Sequence, residues 1–162
     1  MKSIKYFIQF FIITFFFLLF KILGLRFSSN ISSTIISLIG PFFRSKKIIR
    51  SNILKAIPNL NHYEKKNIIH EMWRNYGRIL SEYIFIKDFR NGKFKENLQI
   101  EGQEILEKIK KNNRPVIFVS GHFNNFELMA MHIERSNIDL AAIYRPLNNK
   151  FLNFIMEKIR KK

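Results

Sequence analysis

A long apolar run near the N-terminus limits the folds open to this chain more than any other feature. Lys2 and Lys5 open it, residues 6–20 are apolar apart from Gln9 and Thr14, and Lys21 precedes Ile22, Leu23 and Leu25. Counted over residues 4–25, the run is long enough to cross a bilayer, for which about 20 residues suffice. Lys5 and Lys21 stand near its ends, where long cationic side chains reach back to the headgroups. A signal peptide shares the positive start and apolar body. No small-x-small cleavage site follows, however, and Ser28-Ser29-Asn30 is a poor substitute, so we expect an uncleaved anchor. Flanking positive charge sets orientation. Arg26, Arg44, Lys46, Lys47 and Arg50 on the trailing side outweigh Lys2 and Lys5, which places the body in the cytoplasm. Residues 31–43, broken at Gly40-Pro41, are too short to span and are expected in the membrane interface or against the body. Residues 1–43 thus read as a membrane anchor with an interfacial segment, and residues 44–162 as the body.

The totals narrow the chemistry. A chain of 162 residues is enough for one domain with a sizeable core. Without cysteine there is no disulfide framework, no thiol nucleophile and no cysteine-based zinc site. The net charge of +16, from 28 Lys and Arg against 12 Asp and Glu, points to an anionic partner: nucleic acid, acidic phospholipid or an acidic carrier protein. No nucleic-acid-binding module is recognisable, and a membrane anchor weighs against that partner. There is no Gly-rich phosphate loop and no Gly-x-Ser-x-Gly elbow. His62, His70 and His132 carry no motif. His122, Glu127 and His132 are spaced wrongly for metal ligation on a helix, so neither a metal nor another cofactor is expected.

Along the body, Ile48, Ile49, Ile53, Leu54 and Ile57 recur at helical spacing until Pro58. Asn61 and Glu64 form a capping-box pattern. Behind it Ile68, Ile69, Met72, Trp73, Tyr76, Ile79, Leu80, Tyr83 and Ile84 trace one stripe of a long amphipathic helix. Residues 88–97 read as a loop, 98–100 as a short strand, and 103–110 as a helix stopped by Asn112-Asn113-Arg114-Pro115.

The rest of the body is organised around residues 116–133. An apolar run (Val116, Ile117, Phe118, Val119), a Ser120-Gly121 turn and a helix-compatible segment read as strand, tight turn, helix. His122 then lies just past a strand's C-terminal end, where open α/β sheets place their chemistry. Glu127, in the first helical turn, is within reach of folding back on the imidazole. A carboxylate there fixes the tautomer and leaves the other ring nitrogen free to take a proton. The same residues also fit a plain capping box, Asn124 with Glu127. Residues 138–144 read as a second buried strand ended by Arg145-Pro146. Asn148 or Asn149 then caps a last helix carrying Phe151, Leu152, Ile155 and Ile159 on one face. Strand, helix, strand, helix predicts an α/β fold with a parallel sheet, with Arg145 at the same sheet edge as His122.

Gly121-His122, four residues and Glu127, followed by Ile143-Tyr144-Arg145-Pro146-Leu147-Asn148-Asn149, resembles the first two blocks of the lauroyl/myristoyl transferases of lipid A biosynthesis, late acyltransferases within the glycerolipid acyltransferase superfamily. Arg50-Ser51-Asn52 and residues 73–83 extend the resemblance over nearly the whole chain, although family members run considerably longer. The resemblance implies an incomplete glycerolipid-acyltransferase-like α/β core behind the membrane helix. It implies transfer of an acyl chain from acyl carrier protein to a hydroxyl of a membrane glycolipid such as a lipid A precursor. In that reading His122 is the general base, Glu127 orients it, and Gly121, Asn125 and Arg145 meet substrate. Two other readings of the chain are a catalytically silent remnant of that family and a basic surface protein that binds anionic lipid. The anchor makes its own prediction: carbonate washing should leave the full-length chain in the inner-membrane pellet, and recovery of a shortened soluble product would overturn it.

Overall fold

The computed structural model describes residues 2–160. Met1 and the Lys161-Lys162 end of the expected body lie outside them, as does the side chain of Lys2, one of the charges flanking the anchor. The described residues form eight α-helices joined by 3₁₀ turns and loops: α1 (Lys2–Leu23), α2 (Leu25–Ile39), α3 (Lys46–Ala56), α4 (His62–Glu82), α5 (Ile86–Arg90), α6 (Gln103–Asn112), α7 (Glu127–Arg135) and α8 (Lys150–Arg160). They fall into two compact units, one of residues 17–83 and one of residues 1–16 with 84–162.

α1 is long and apolar enough to cross a membrane. Its apolar surface is open: Phe15 is 63% exposed and Ile22 83%. Gly24 ends it with φ +77 and ψ 168, a conformation essentially restricted to glycine. The chain restarts as α2 one residue later.

In the unit of residues 17–83, α2 and α4 pack antiparallel along a seam of small residues. Ser28, Ser32 and Ser33 on α2 and Gly77 and Ser81 on α4 are fully buried or nearly so. A Cβ built on Gly77 would stand 2.3 Å from the Ser32 carbonyl oxygen, so the two backbones are in direct contact. Close approach through small residues four apart is the usual device of helices packed within membranes. Polar groups line the same seam: Arg74 Nε donates to Ser33 Oγ (3.2 Å), Ser29 Oγ donates to Glu82 (3.4 Å), and Ser28 Oγ donates to the Phe20 carbonyl (2.7 Å). At the far end, Gly40 lies against the face of Trp73. α4 starts at the expected capping box, with Asn61 Oδ1 accepting from Glu64 N (2.9 Å) and Glu64 accepting from Asn61 N (2.8 Å). α3 ends before Pro58, as its spacing predicts.

The second unit has its core where α5 meets α7 and α8, with Phe85, Ile86, Phe89, Met131, Ile133 and Met156 buried. α8 is capped by Asn149, whose Oδ1 accepts from Phe151 N (3.1 Å) and Leu152 N (3.4 Å). The Nδ2 of the same amide donates to the Tyr6 carbonyl of α1 (2.8 Å), and Phe151 meets the rings of Phe7 and Phe10.

The expected α/β core is not what forms. No strand or sheet is present among the described residues, so the glycerolipid-acyltransferase-like α/β class is corrected to an all-helical one. Residues 98–100, 116–119 and 138–144 are unpaired coil, and residues 88–90 of the expected loop belong to α5. Apolar, β-branched sequence gives a segment strand propensity, but a strand exists only against a neighbour that takes up its backbone donors and acceptors. Here no segment lies alongside: Ile117 is 92% exposed and Val119 91%.

The seam predicts a sharp sensitivity. Gly77→Ala should lower the stability of the full chain in detergent by about 1–3 kcal/mol, because a backbone carbonyl cannot swing aside as a side chain can. Unfolding indistinguishable from wild type would show that the two helices separate freely.

Candidate acyltransferase site

Residues 114–123 form an extended, exposed loop that turns into α7 through Asn124, Asn125 and Phe126. Asn124 takes a left-handed conformation (φ 47), which an asparagine accepts more readily than a branched residue. The Asn125 carbonyl accepts from Leu128 N (3.1 Å) and the Phe126 carbonyl from Met129 N (3.2 Å), tightening the entry to the helix. Phe126 is the N-cap residue and makes no side-chain cap, so the alternative Asn124–Glu127 capping box does not form.

His122 lies in this loop, exposed, with its ring edge-on to Phe126 at 4.4 Å between centroids. Its ring nitrogens make no hydrogen bond with the described residues, so both are open to an incoming group. Gly121 lies beneath the Phe123 ring, which folds back to within 2.5 Å of where a Cβ would stand. Asn125 is buried, and Arg145 is exposed on the coil before α8. There is no sheet edge to bring Arg145 level with His122, so that expected relation goes with the sheet.

Glu127 opens α7, where the helix dipole favours a carboxylate. Its partner is Arg160 at the end of α8: Nε donates to both carboxylate oxygens (2.9 and 3.1 Å) and Nη2 donates to Oε1. Such a two-pronged guanidinium–carboxylate pair is geometrically specific. With the side chains 11% and 28% exposed, it is only partly screened by solvent. The structure therefore brings Glu127 to Arg160 and His122 to Phe126.

Arg160 also joins the two blocks singled out in the sequence. Its guanidinium lies 5.1 Å from the centre of the Tyr144 ring, its carbonyl accepts from Arg90 Nη2 (3.2 Å), and Glu127 holds its head. The Tyr144 hydroxyl donates to Glu157 (2.8 Å), which also accepts from Asn153 Nδ2 (2.7 Å), while Asn153 Oδ1 accepts from Leu147 N (2.9 Å). Sequence reasoning missed Arg160, Glu157 and Asn153. The four-residue spacing of Asn153 and Glu157 marks a local helix pair, but nothing in the sequence ties Arg160 to a carboxylate 33 residues away.

The bond to Glu157, then desolvation and the charge of Glu157, raise the Tyr144 pKa above its ordinary 10.0, with the Arg160 charge pulling the other way. A phenol whose pKa is raised on folding stabilises the fold fully below its unfolded value and loses that contribution as pH rises through the folded value. The thermal midpoint of wild type should therefore fall through this alkaline window more steeply than that of Tyr144→Phe. Parallel profiles would show that the Tyr144–Glu157 bond does not persist in solution.

The chain has recognisable relatives. The family model described as "Bacterial lipid A biosynthesis acyltransferase" matches residues 1–162. The chain is 26% identical over 121 residues to the lipid A biosynthesis palmitoleoyltransferase of Escherichia coli (strain K12), which covers 74% of this chain and 39% of that protein. The same figures hold for a lipid A biosynthesis acyltransferase of Shigella flexneri. A second Shigella flexneri protein, lipid A biosynthesis acyltransferase 2, is 31% identical over 70 residues, 43% of this chain and 22% of that one. The chain thus spans about two fifths of the length of the first curated relatives it matches, and no solved structure matches it. With its whole length under the family model, this chain belongs to the bacterial lipid A biosynthesis acyltransferase family.

Proposed function

We propose that this chain carries the base of an acyl transfer from acyl carrier protein to a hydroxyl of a lipid A precursor or related glycolipid, at the cytoplasmic face of the inner membrane. The observation that supports it most is His122: exposed, with open ring nitrogens, five residues ahead of a carboxylate at a helix N-terminus. Residues 1–43 serve as a membrane anchor and interfacial segment, and residues 44–162 as the acyltransferase body. His122 takes the proton of the acceptor hydroxyl as that oxygen attacks the thioester carbonyl. The new C–O bond forms, the C–S bond breaks, and the proton passes from His122 to the departing thiolate. Glu127, released from Arg160, turns to the imidazole and stabilises the imidazolium. Arg145 and N–H groups near Gly121 meet the oxyanion, and Asn125 contributes to substrate binding. The basic surface attracts the acidic carrier.

The assay is transfer of a labelled acyl chain from carrier protein to a lipid A precursor in detergent. His122→Ala should lower the rate by about 10²–10⁴-fold with the helical fold retained. Glu127→Gln should lower it too, since an amide cannot stabilise the imidazolium, and Arg145→Lys should cost more than charge alone explains. Wild-type turnover no higher than that of His122→Ala would replace this reading with a non-catalytic one, in which the Glu127–Arg160 pair is purely structural.

A further inference from the structure

We propose that the cleft between α3 and α4 binds the headgroup and upper acyl region of an anionic phospholipid of the surrounding bilayer, at a site separate from His122. The cleft has a volume of about 600 Å³ and an apolar floor that includes Ile49, Leu54, Ile69 and Trp73. Its rim carries Lys46, Arg50, Lys65 and Lys66, and no carboxylate lines it. Among the described residues none of these four cations is in an ion pair, although Glu71 in the same unit pairs with Arg74 and Arg78.

Their placement is unfavourable in the isolated chain. Lys46 is the first residue of α3, and Lys65 and Lys66 lie near the start of α4, ends where the helix dipole is already positive. No acidic residue occupies the first turn of α3, while that of α4 holds Glu64, which is engaged in the capping box. The four rim cations over an apolar floor repel one another until an anion joins them. A lipid phosphate on the rim relieves that repulsion while its chains cover the floor. The neighbouring turn fixes the source of the phosphate as a bilayer. Pro41 lines the cleft, and next to it Phe42 and Phe43 are 87% and 80% exposed, as aromatic residues at a membrane interface are.

Trp73 is the only tryptophan in the chain, and its indole N–H is buried without a hydrogen-bond partner, so its fluorescence reports on the cleft. The full chain is reconstituted in phosphatidylcholine vesicles, and Trp73 quenching is compared on adding brominated phosphatidylglycerol or brominated phosphatidylcholine. Phosphatidylglycerol should be preferred. The combined variant Arg50→Gln, Lys65→Gln, Lys66→Gln should lose about fivefold in that preference per cation removed, with helicity checked by circular dichroism. A charge-matched control on α6 (Lys108→Gln, Lys110→Gln, Lys111→Gln) should keep the preference. Equal quenching by both lipids, an unchanged preference in the cleft variant, or equal loss in the control would overturn the proposal. So would abolition of the preference by inorganic phosphate, which would make the site one for a soluble anion. Because the readout is independent of turnover, this result and the acyl-transfer assay fail or succeed separately.

Discussion

The backbone contact between Ser32 and Gly77 sets how the helices around it lie. With no side chain between them, the separation of α2 and α4 is fixed by covalent dimensions rather than by side-chain packing. Everything along that seam follows from the short spacing: the Arg74–Ser33 and Ser29–Glu82 bonds, and the stacking of Trp73 against Gly40. A wider seam would break these polar bonds, which neighbouring apolar side chains cannot replace. It would also move Trp73, and with it the floor between α3 and α4.

The helical half of the fold was legible in the sequence. Asn61 with Glu64, Pro58, and Asn149 ahead of an apolar face are local signals, and local signals identify helices because helical hydrogen bonds are local. The small-residue seam was not legible. A reading weighted towards large apolar side chains assigned the buried face of α4 to residues such as Tyr76, which is exposed, and overlooked Gly77 and Ser81, which are buried. The strands failed for the opposite reason. Residues 116–119 and 138–144 carry genuine strand propensity, yet pairing is a property of two segments at once, and neither has a partner among the described residues.

The candidate site was legible only as a spacing: His122 and Glu127 lie close in sequence, but in the structure the carboxylate pairs with Arg160 and the imidazole packs on Phe126. Arg160 meets Glu127 across α7 and α8, which both pack against α5, so its role is written in the tertiary fold. Two demands therefore fall on one carboxylate: it ties α7 to α8 in the structure, and it serves His122 in the proposed reaction. In the proposed reaction Arg160 and His122 therefore compete for Glu127.

Asn149 shows how narrowly a single position can be constrained. Its oxygen receives two N–H groups at the start of α8, while its nitrogen gives a proton to the Tyr6 carbonyl on α1. Aspartate would cap the helix as well but would set one negative oxygen against another. Serine would cap it but would be too short to span the gap. Glutamine has the right chemistry on the wrong length of stem. Of the residues that begin helices well, only asparagine both accepts and donates at that reach. The hold between α1 and α8 thus rests on the two unlike ends of one amide.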